Sequence, residues 1–305
     1  MALLLKTVFR FKKLRKAFEP TVTVPFALLR NTRTEGKIMR EFKSIQPILS
    51  HVRRAVDDFN MIEAGDRIAV GVSGGKDSLT MLCALKSLQR FYPKPFELKA
   101  ICLDMGFENA DFSSIVTLCD EIEVELEIVP TQIKQIVFDI RKEKCPCSLC
   151  ARMRRGALHD AANAIGYKKI ALGHHFDDAV ETFFLNLFNE GRIGCFAANT
   201  YLDRKDVTVI RPLIYLPEKM VTGFVRKEGI EVLPKYCTED GNTERERIKN
   251  LIFDLSKNDR GLSDRIFGAM KRAELLGAVN KKEASSCDDC KTKTSATQSE
   301  EQQNT

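Results

Sequence analysis

Apolar residues along this chain form two patterns that alternate. Short apolar runs, of the length that suits buried strands, occupy residues 67–72, 98–103, 124–129, 168–172 and 207–210. In the intervening segments the apolar residues recur at helical spacing, over residues 77–91, 111–121, 148–165 and 177–190. This alternation predicts an α/β fold with a doubly wound parallel sheet, because parallel strands are joined by crossover helices. In such a sheet, ligands bind at the carboxyl ends of the strands.

Helical patterns also flank the alternating region. Residues 40–62 precede it, and residues 217–228, 242–257 and 261–276 follow it. After residue 280 the apolar content falls and polar residues dominate, which is typical of a disordered tail. The pattern therefore predicts four parts, namely an N-terminal extension (1–38), an α/β domain with an N-terminal helix (39–215), a C-terminal helical region (216–278) and a tail (279–305).

The N-terminal extension carries most of the charge. The net charge of the chain is +6, and residues 1–38 contribute +7, so the remainder sums to −1. A nucleic acid would therefore have to bind local basic patches on the body of the protein. The extension could be an RNA-binding arm, a surface anchor or a targeting sequence, although it lacks the serine content of a typical transit peptide. Alternatively, Met39 is the true start and residues 1–38 are an over-extended gene prediction.

The cysteine count is high for a chain without secretion signals. The sequence has ten cysteines, and no stretch reaches the roughly 18–20 apolar residues that a membrane helix needs. No credible signal peptide is evident. In a reducing compartment, clustered cysteines more often bind metal or perform chemistry than form disulfides. We therefore expect a cytoplasmic protein without a membrane segment.

The most informative motif follows the first predicted strand. Residues 73–78 read Ser-Gly-Gly-Lys-Asp-Ser and precede a predicted helix. A glycine turn between a strand and a helix lets backbone N–H groups cradle a phosphate. The motif is not a Walker loop, because Val70 stands at the first glycine position and Asp77 follows Lys76. The predicted phosphate-binding residues are Ser73, Gly74, Gly75, Lys76, Asp77 and Ser78.

A second motif is a group of cysteines. Residues 145–150 read Cys-Pro-Cys-Ser-Leu-Cys, which places Cys147 and Cys150 at C-x-x-C spacing near a predicted helix start. By spacing alone, this pair fits a redox dithiol, half a zinc site or half an iron–sulfur site. Cys145 is either passive or a relay for persulfide sulfur. The pair Cys287 and Cys290 in the tail is either non-essential or an accessory site.

Two acidic residues open a later helix. Gly173 ends a predicted strand, and Asp177 and Asp178 begin the helix that follows. Carboxylates at this edge could hold Mg²⁺ against nucleotide phosphates, act at a reacting base, or cap the helix.

Three arginines follow the C-x-x-C pair. The guanidinium groups of Arg152, Arg154 and Arg155 suit phosphate, either of a nucleotide or of an RNA backbone. Arg152 and Arg155 are three residues apart and would share a helix face. The alternative is that all three are solvent-exposed charges without a partner.

Together the motifs resemble a known family. Residues 73–78 are similar to the S-G-G-x-D-S signature of the PP-loop ATP pyrophosphatase superfamily, whose members split ATP between its α- and β-phosphates. The string C-A-R-M-R-R-G from Cys150, the string G-H-H-F-D-D-A-V-E-T from Gly173, and Cys237 resemble the tRNA 2-thiocytidine synthetase (TtcA) family. The resemblance covers about residues 40–276.

The resemblance implies an adenine nucleotide alpha hydrolase-like fold and an ATP-dependent tRNA sulfurtransferase. In that family three cysteines hold a 4Fe-4S cluster with one iron left open for sulfur, and here they would be Cys147, Cys150 and Cys237. ATP, with Mg²⁺, would adenylate the C2 oxygen of a cytidine in tRNA, and sulfur would then displace AMP. A cysteine desulfurase or another donor would supply the sulfur, and the enzyme could be a homodimer.

The resemblance also implies roles for individual residues. The catalytic residues would be Lys76, Arg154 and one of Asp177 and Asp178. Residues Asp104, Met105 and Gly173 would join the phosphate loop in binding ATP. Arg152 and Arg155 would contact RNA or phosphate.

One departure keeps other functions open. Many relatives carry a further cysteine just before the third one, where this chain has Leu233-Pro-Lys-Tyr236. Cys237 is therefore a less secure ligand than the C-x-x-C pair. The alternatives are a thiolating enzyme for another nucleoside or a small molecule, and a non-catalytic iron–sulfur sensor that binds RNA. The lysidine synthetase branch shares the ATP motifs but does not need the cysteines.

Overall fold

The computed structural model describes residues 40–141, 146–234, 236–237, 244–257 and 259–279. The N-terminal extension, Cys145, and the tail with Cys287 and Cys290 lie outside the described residues. Within the described part, a six-stranded sheet covered by helices confirms the predicted α/β class. The division of the chain into four parts stays a prediction.

The elements follow each other in the predicted alternation. The strands are β1 Asp66–Gly71, β2 Phe96–Asp104, β3 Glu125–Pro130, β4 Lys169–Ala171, β5 Asn199–Leu202 and β6 Val207–Ile210. The α-helices are α1 Gln46–Asp58, α2 Lys76–Gln89, α3 Ser113–Glu121, α4 Pro146–Ala164, α5 Phe176–Asn189, α6 Glu218–Glu228, α7 Glu244–Ser256 and α8 Leu262–Arg272.

The strand order explains where a ligand can bind. The sheet runs β3-β2-β1-β4-β6-β5, so the chain moves to one side of β1 first and then to the other. All neighbouring strands are parallel except β5, which pairs with β6 in antiparallel fashion. In sheets of this kind a ligand crevice forms where the strand order reverses, which here is at the carboxyl ends of β1 and β4. The phosphate loop (residues 73–78) and Gly173 follow these two strands.

The sheet separates two apolar cores. Successive side chains of β1 point to opposite faces. Ile68 and Val70 join the larger core, which includes side chains of α1, α2, α3 and α6. Ala69 joins the smaller core, where Leu158 and Ala162 of α4 cover the other face. Helices on both faces are what a mostly parallel sheet requires.

Some predicted bounds were wrong. The helix predicted over 40–62 is confined to α1, because Pro47 lies in its first turn and Asn60 has a positive φ of 46° just beyond its end. Met61 and Ile62 are buried without being helical, which extended the apolar pattern. The helix predicted over 261–276 likewise ends at Arg272. The pattern predicted neither the short edge strand β5 nor the π-helical segment Gln135–Arg141.

Candidate functional site

The phosphate loop is a turn that leaves the start of α2 open. Gly74 has a positive φ of 77°, a conformation that glycine adopts without strain. The Ser78 Oγ accepts from the Ser73 N–H at 3.1 Å and donates to the Gly75 carbonyl at 2.9 Å, which fixes the turn. Gly75 is the N-cap of α2, and no side chain caps its N–H groups. These N–H groups, with the helix dipole, suit an anion.

Two close backbone approaches support the loop. A Cβ atom on Gly173 would lie 3.1 Å from the carbonyl carbon of Asp77 and from the Ser78 nitrogen, so the end of β4 packs directly on the start of α2. On the other side, the Leu233 N–H donates to the Gly74 carbonyl at 3.0 Å. A Cβ on Gly74 would lie only 2.5 Å from the Leu233 side chain. Packing therefore requires both glycines, and the turn requires Gly74 as well.

Lys76 lies among carboxylates at the mouth of the crevice. Its Nζ is 3.2 Å from Asp77 Oδ2 and 3.1 Å from Glu218 Oε1. Burial alone would lower the pKa of Lys76, but Asp77 and Glu218 outweigh it and raise that pKa above its ordinary value. Glu218 is in turn bound by Lys249, 2.9 Å away. Lys76 is therefore a fixed positive charge beside the phosphate loop.

The acidic pair surrounds a buried histidine. His175 is the N-cap of α5, and it exchanges hydrogen bonds with Asp178 in a capping box. The His175 Nε2 also lies 3.7 Å from Asp77 Oδ1, which brings the pair to the phosphate loop. Asp177 Oδ2 accepts from the Glu218 N–H at 2.6 Å, at the start of α6. Asp178 thus caps the N-terminus of α5, which was one of the roles expected for the acidic pair. Asp177 accepts a hydrogen bond from the N-terminus of a second helix, α6.

Asp178 is bound more completely than Asp177. Its Oδ2 accepts from the His175 N–H at 2.9 Å, and its Oδ1 from Arg245 at 2.9 Å. Arg245 also contacts Glu181, which is buried. Among the described residues, by contrast, Glu218 and His175 contact only the Oδ2 oxygen of Asp177. Asp177 therefore keeps a carboxylate oxygen available for a substrate or a cation.

Asp104 is the last residue of β2, beside the strand that precedes the phosphate loop, and Met105 follows it. The Asp104 carboxylate accepts from the Gly106 N–H at 2.8 Å, and Gly106 has a positive φ of 84°. The carbonyl oxygens of Asp104 and Met105 accept bonds from Thr131 and Lys134 in the loop after β3. The turn at this position is thereby held rigid at the same edge of the sheet.

The predicted cysteine ligands act on one another electrostatically. Cys147 and Cys150 lie in the first turn of α4, where Cys147 is exposed and Cys150 partly buried. Burial raises the pKa of the Cys150 thiol, Arg154 acts in the opposite direction through a hydrogen bond, and Cys237 and Cys147 add to the rise. Cys237, from a distant segment, is thus within electrostatic range of Cys150.

The Cys237 segment is anchored at two points. Leu233 binds the phosphate loop, as described above. Tyr236 accepts a hydrogen bond from the Asp111 N–H at 3.1 Å, and its ring stacks on Phe107 at a centroid distance of 6.3 Å. This segment therefore connects the phosphate loop, the loop after β2 and the cysteines.

The predicted arginines are all exposed. Arg152, Arg154 and Arg155 lie on the second turn of α4 with solvent-exposed side chains. Arg154 contacts Cys150, whereas the charge of Arg155 helps to lower the pKa of His174 and of Arg211. Burial is the main cause of both of those shifts. Arg154 and Arg155 thus act on residues of the predicted site, whereas Arg152 has no contact with it among the described residues.

The residues present fit the implied cofactors. The described residues contain no group of three His, Cys, Asp or Glu side chains that could hold a single metal ion. An iron–sulfur cluster makes a different demand, because each cysteine binds its own iron and the thiolates stay apart. Thiols at Cys147, Cys150 and Cys237 that act on one another electrostatically, without converging on one point, are compatible with it. For Mg²⁺, the Asp77 Oδ1 is buried and has no hydrogen-bond partner among the described residues, as a cation ligand would need.

Sequence reasoning missed several residues of the site. Arg245 and Lys249 are four residues apart in α7, so their common face could have been read from the sequence. Their partners could not, because Asp178 and Glu218 come from other helices. The contact of Leu233 with Gly74 also left no signal in the sequence.

No helix among the described residues combines the length and apolar character that a membrane crossing requires.

Comparison with known proteins gives consistent results. A family model described as the PP-loop domain matches residues 48–255. The chain is similar to the tRNA-cytidine(32) 2-sulfurtransferase of Teredinibacter turnerae, with 41% identity over 235 residues, covering 76% of this chain and 78% of the relative. The proteins of the same name from Ralstonia pickettii and Vibrio cholerae are 39% and 40% identical, covering 73% and 72% of this chain and 71% of each relative.

A solved structure shares the fold. The U34-tRNA thiolase NcsA from Methanococcus maripaludis, solved with its 4Fe-4S cluster, superposes with a TM-score of 0.62. The alignment covers 74% of this chain and 78% of that one, at 24% identity. At this identity the likeness concerns the fold.

Proposed function

The chain belongs to the PP-loop family and, within it, to the tRNA-cytidine(32) 2-sulfurtransferases, and from this premise we propose that it uses ATP to replace the C2 oxygen of a cytidine in tRNA with sulfur. The observation that carries the proposal is the meeting of three groups at one edge of the sheet. These are the open phosphate loop, the acidic pair around His175, and the cysteines of α4 with Cys237.

In the first step, the phosphate loop and Lys76 bind the phosphates of ATP. The uncapped N–H groups of α2 and the charged Nζ of Lys76 stabilise negative charge that develops on the phosphates. The C2 oxygen attacks the α-phosphate, the O–P bond to AMP forms, and pyrophosphate leaves. Asp77 and Asp177 would hold the Mg²⁺ that accompanies ATP. The Asp104–Met105 turn and Gly173 border the nucleotide.

In the second step, sulfur replaces the activated oxygen. Cys147, Cys150 and Cys237 would hold a 4Fe-4S cluster, which supplies an iron with an open position for the incoming sulfur. Hydrosulfide forms the C2–S bond, the C2–O bond breaks, AMP leaves with both bonding electrons, and the sulfur proton is released. Asp177, with its available oxygen, is placed to accept that proton, while Asp178 holds α5 and Arg245.

The arginines of α4 contact the nucleic acid. Arg152 and Arg155 are exposed and would bind tRNA phosphates, and Arg154, which acts on Cys150, would serve as a catalytic cation. A sulfur donor such as a cysteine desulfurase, a homodimeric assembly and a cytoplasmic location stay predictions.

The test is a thiolation reaction under anaerobic conditions. The purified chain is incubated with ATP, sulfide and unmodified tRNA, and digested nucleosides are analysed by mass spectrometry. We expect 2-thiocytidine together with equal amounts of AMP and pyrophosphate, all lost in Lys76→Met. AMP formation with sulfur on another nucleoside would change the substrate. If no AMP forms with any tRNA, the proposal is wrong and a non-catalytic sensor becomes the better interpretation.

A further inference from the structure

Lys76 forms an ion pair with a carboxylate, that of Glu218, which also pairs with a second lysine. Glu218, the first residue of α6, places Oε1 3.1 Å from the Lys76 Nζ and Oε2 2.9 Å from the Lys249 Nζ. The three residues come from α2, α6 and α7. Each carboxylate oxygen thus has its own ammonium partner, and only one of these partners belongs to the phosphate loop.

Glu218 stays charged in this position. Its side chain is 25% exposed. Two ammonium groups, of Lys76 and Lys249, lie 3.1 and 2.9 Å from its two oxygens and keep the carboxylate ionised despite its partial burial. A partly buried carboxylate of this kind is costly to leave without a positive partner. If one lysine moves away from Glu218, the other lysine must therefore remain to neutralise the carboxylate.

ATP phosphates and Glu218 compete for the same ammonium group. In the proposed reaction Lys76 neutralises phosphate oxygens, and this weakens its interaction with Glu218, because both anions draw on the same positive charge. Lys249 is 44% exposed, compared with 30% for Lys76, and it lies on a separate helix. It can therefore remain on Glu218 while Lys76 turns to the nucleotide.

We propose that Glu218 is a positioning residue that holds Lys76 until ATP arrives, and that Lys249 is the counter-charge that allows the exchange. In the empty site Glu218 keeps the Lys76 side chain at the mouth of the crevice. When phosphate binds, the Lys76–Glu218 bond is exchanged for a Lys76–phosphate bond, and Glu218 remains neutralised by Lys249. The inference rests on the proposed function, since it needs ATP at the phosphate loop.

Two single variants should change nucleotide affinity in opposite directions. Glu218→Gln removes the competitor, so the dissociation constant for a non-hydrolysable ATP analogue should fall about fivefold. Lys249→Met leaves Glu218 to Lys76 alone, so the same constant should rise about fivefold. A residue that only supports the fold would weaken binding in both variants. Lys249→Arg keeps the charge and should bind as the native chain does.

The double variant separates this exchange from a direct contact of Lys249 with ATP. A glutamine at position 218 needs no counter-charge, so Lys249→Met should have no effect when combined with Glu218→Gln. If Lys249 bound phosphate itself, it would weaken binding equally in both backgrounds, and the inference would be wrong. Lys257→Met is the matched control and should change nothing, because Lys257 follows the end of α7 and pairs with Asp254 in the last turn of that helix.

The measurement is titration calorimetry on the full chain with the analogue and Mg²⁺, with circular dichroism to verify folding. Equal affinities in the native chain, Glu218→Gln and Lys249→Met would overturn the exchange while leaving ATP binding intact. If the native chain and all variants bind no analogue, the proposed function fails instead, and the two failures remain distinct.

Discussion

The Leu233 N–H donates to the Gly74 carbonyl at 3.0 Å, and this bond attaches the segment that carries Cys237 to the phosphate loop. The Leu233 side chain fills the space in which a Cβ on Gly74 would lie, 2.5 Å away. The proposed nucleotide and sulfur sites therefore share one structural support, although their motifs lie far apart in the chain.

A substitution of Gly74 should consequently damage both sites. Gly74→Ala places a Cβ in a left-handed conformation, which costs about 1–2 kcal/mol, and it also displaces Leu233. We expect weaker binding of an ATP analogue and a lower iron content after anaerobic purification. Gly75→Ala is the control for iron, because its φ is −78° and its nearest neighbour would be the Ser73 Oγ at 3.5 Å. Equal iron loss in both variants would contradict the shared support.

Cysteine substitutions should separate the cluster from ATP binding. Cys147→Ala and Cys237→Ala should each lose most of about four irons and four acid-labile sulfides per chain while binding the ATP analogue normally. Cys195→Ala is the matched control, since that thiol donates to the Ala179 carbonyl at 3.4 Å and is not among the proposed ligands. Full iron content and thiolation in Cys147→Ala would show that the cluster assignment is wrong.

The acidic pair should separate into a reactive residue and a structural one. Asp177→Asn still offers an oxygen to the Glu218 N–H, so the free energy of unfolding should change little, while kcat should fall about 100-fold. Asp178→Asn weakens the capping box and the pair with Arg245, which should cost about 1–2 kcal/mol of stability. Urea unfolding and single-turnover rates measure the two effects. The opposite result, with stability lost only in Asp177→Asn, would reverse the assignment.

The sequence predicted at which edge of the sheet the site lies, but it predicted few of the side-chain contacts within the site. Alternating patterns defined β1 and β4, and the motifs after them met because parallel strands place their carboxyl ends together. Capping of α5 was one of the expected roles for the acidic pair. The partners of Lys76 and Asp178 could not be predicted, since Glu218 and Arg245 reach them only through the packing of α6 and α7.

The exposed arginines should contribute to tRNA binding through phosphate contacts. Arg152→Ala and Arg155→Ala should each weaken tRNA binding and reduce the slope of log affinity against log salt by about one. Arg90→Ala is the control, because Arg90 follows the far end of α2 from the phosphate loop and pairs with Glu41 at 3.1 Å. Filter binding across a salt series measures the slopes. An unchanged slope in both α4 variants would mean that the nucleic acid lies elsewhere.

Glu181 should give the protein a stability term that decreases as the pH rises. Burial raises the pKa of Glu181 to about 7 from an ordinary value of 4.5, and Arg245 only partly opposes this. Between these two pH values the folded chain keeps the proton and the unfolded chain has released it. The free energy of unfolding therefore falls with rising pH across this window. Glu181→Gln has no titrating carboxyl at this position and therefore does not lose this stability. Above pH 7 the variant should be more stable than the native chain, by about 3 kcal/mol at most.

His174 provides a comparison of opposite sign within the same site. Burial and Arg211 lower the pKa of His174 to about 4 from 6.5, so its contribution to stability is present above pH 6.5 and is lost as the pH falls towards 4. Relative to the native chain, His174→Asn should therefore gain stability towards low pH, whereas Glu181→Gln should gain it towards high pH. Urea unfolding of the three proteins at pH 5, 6, 7 and 8 tests both slopes. A Glu181→Gln difference that stays constant over this range would show that Glu181 is already ionised in the folded chain, with Arg245 fully compensating its burial.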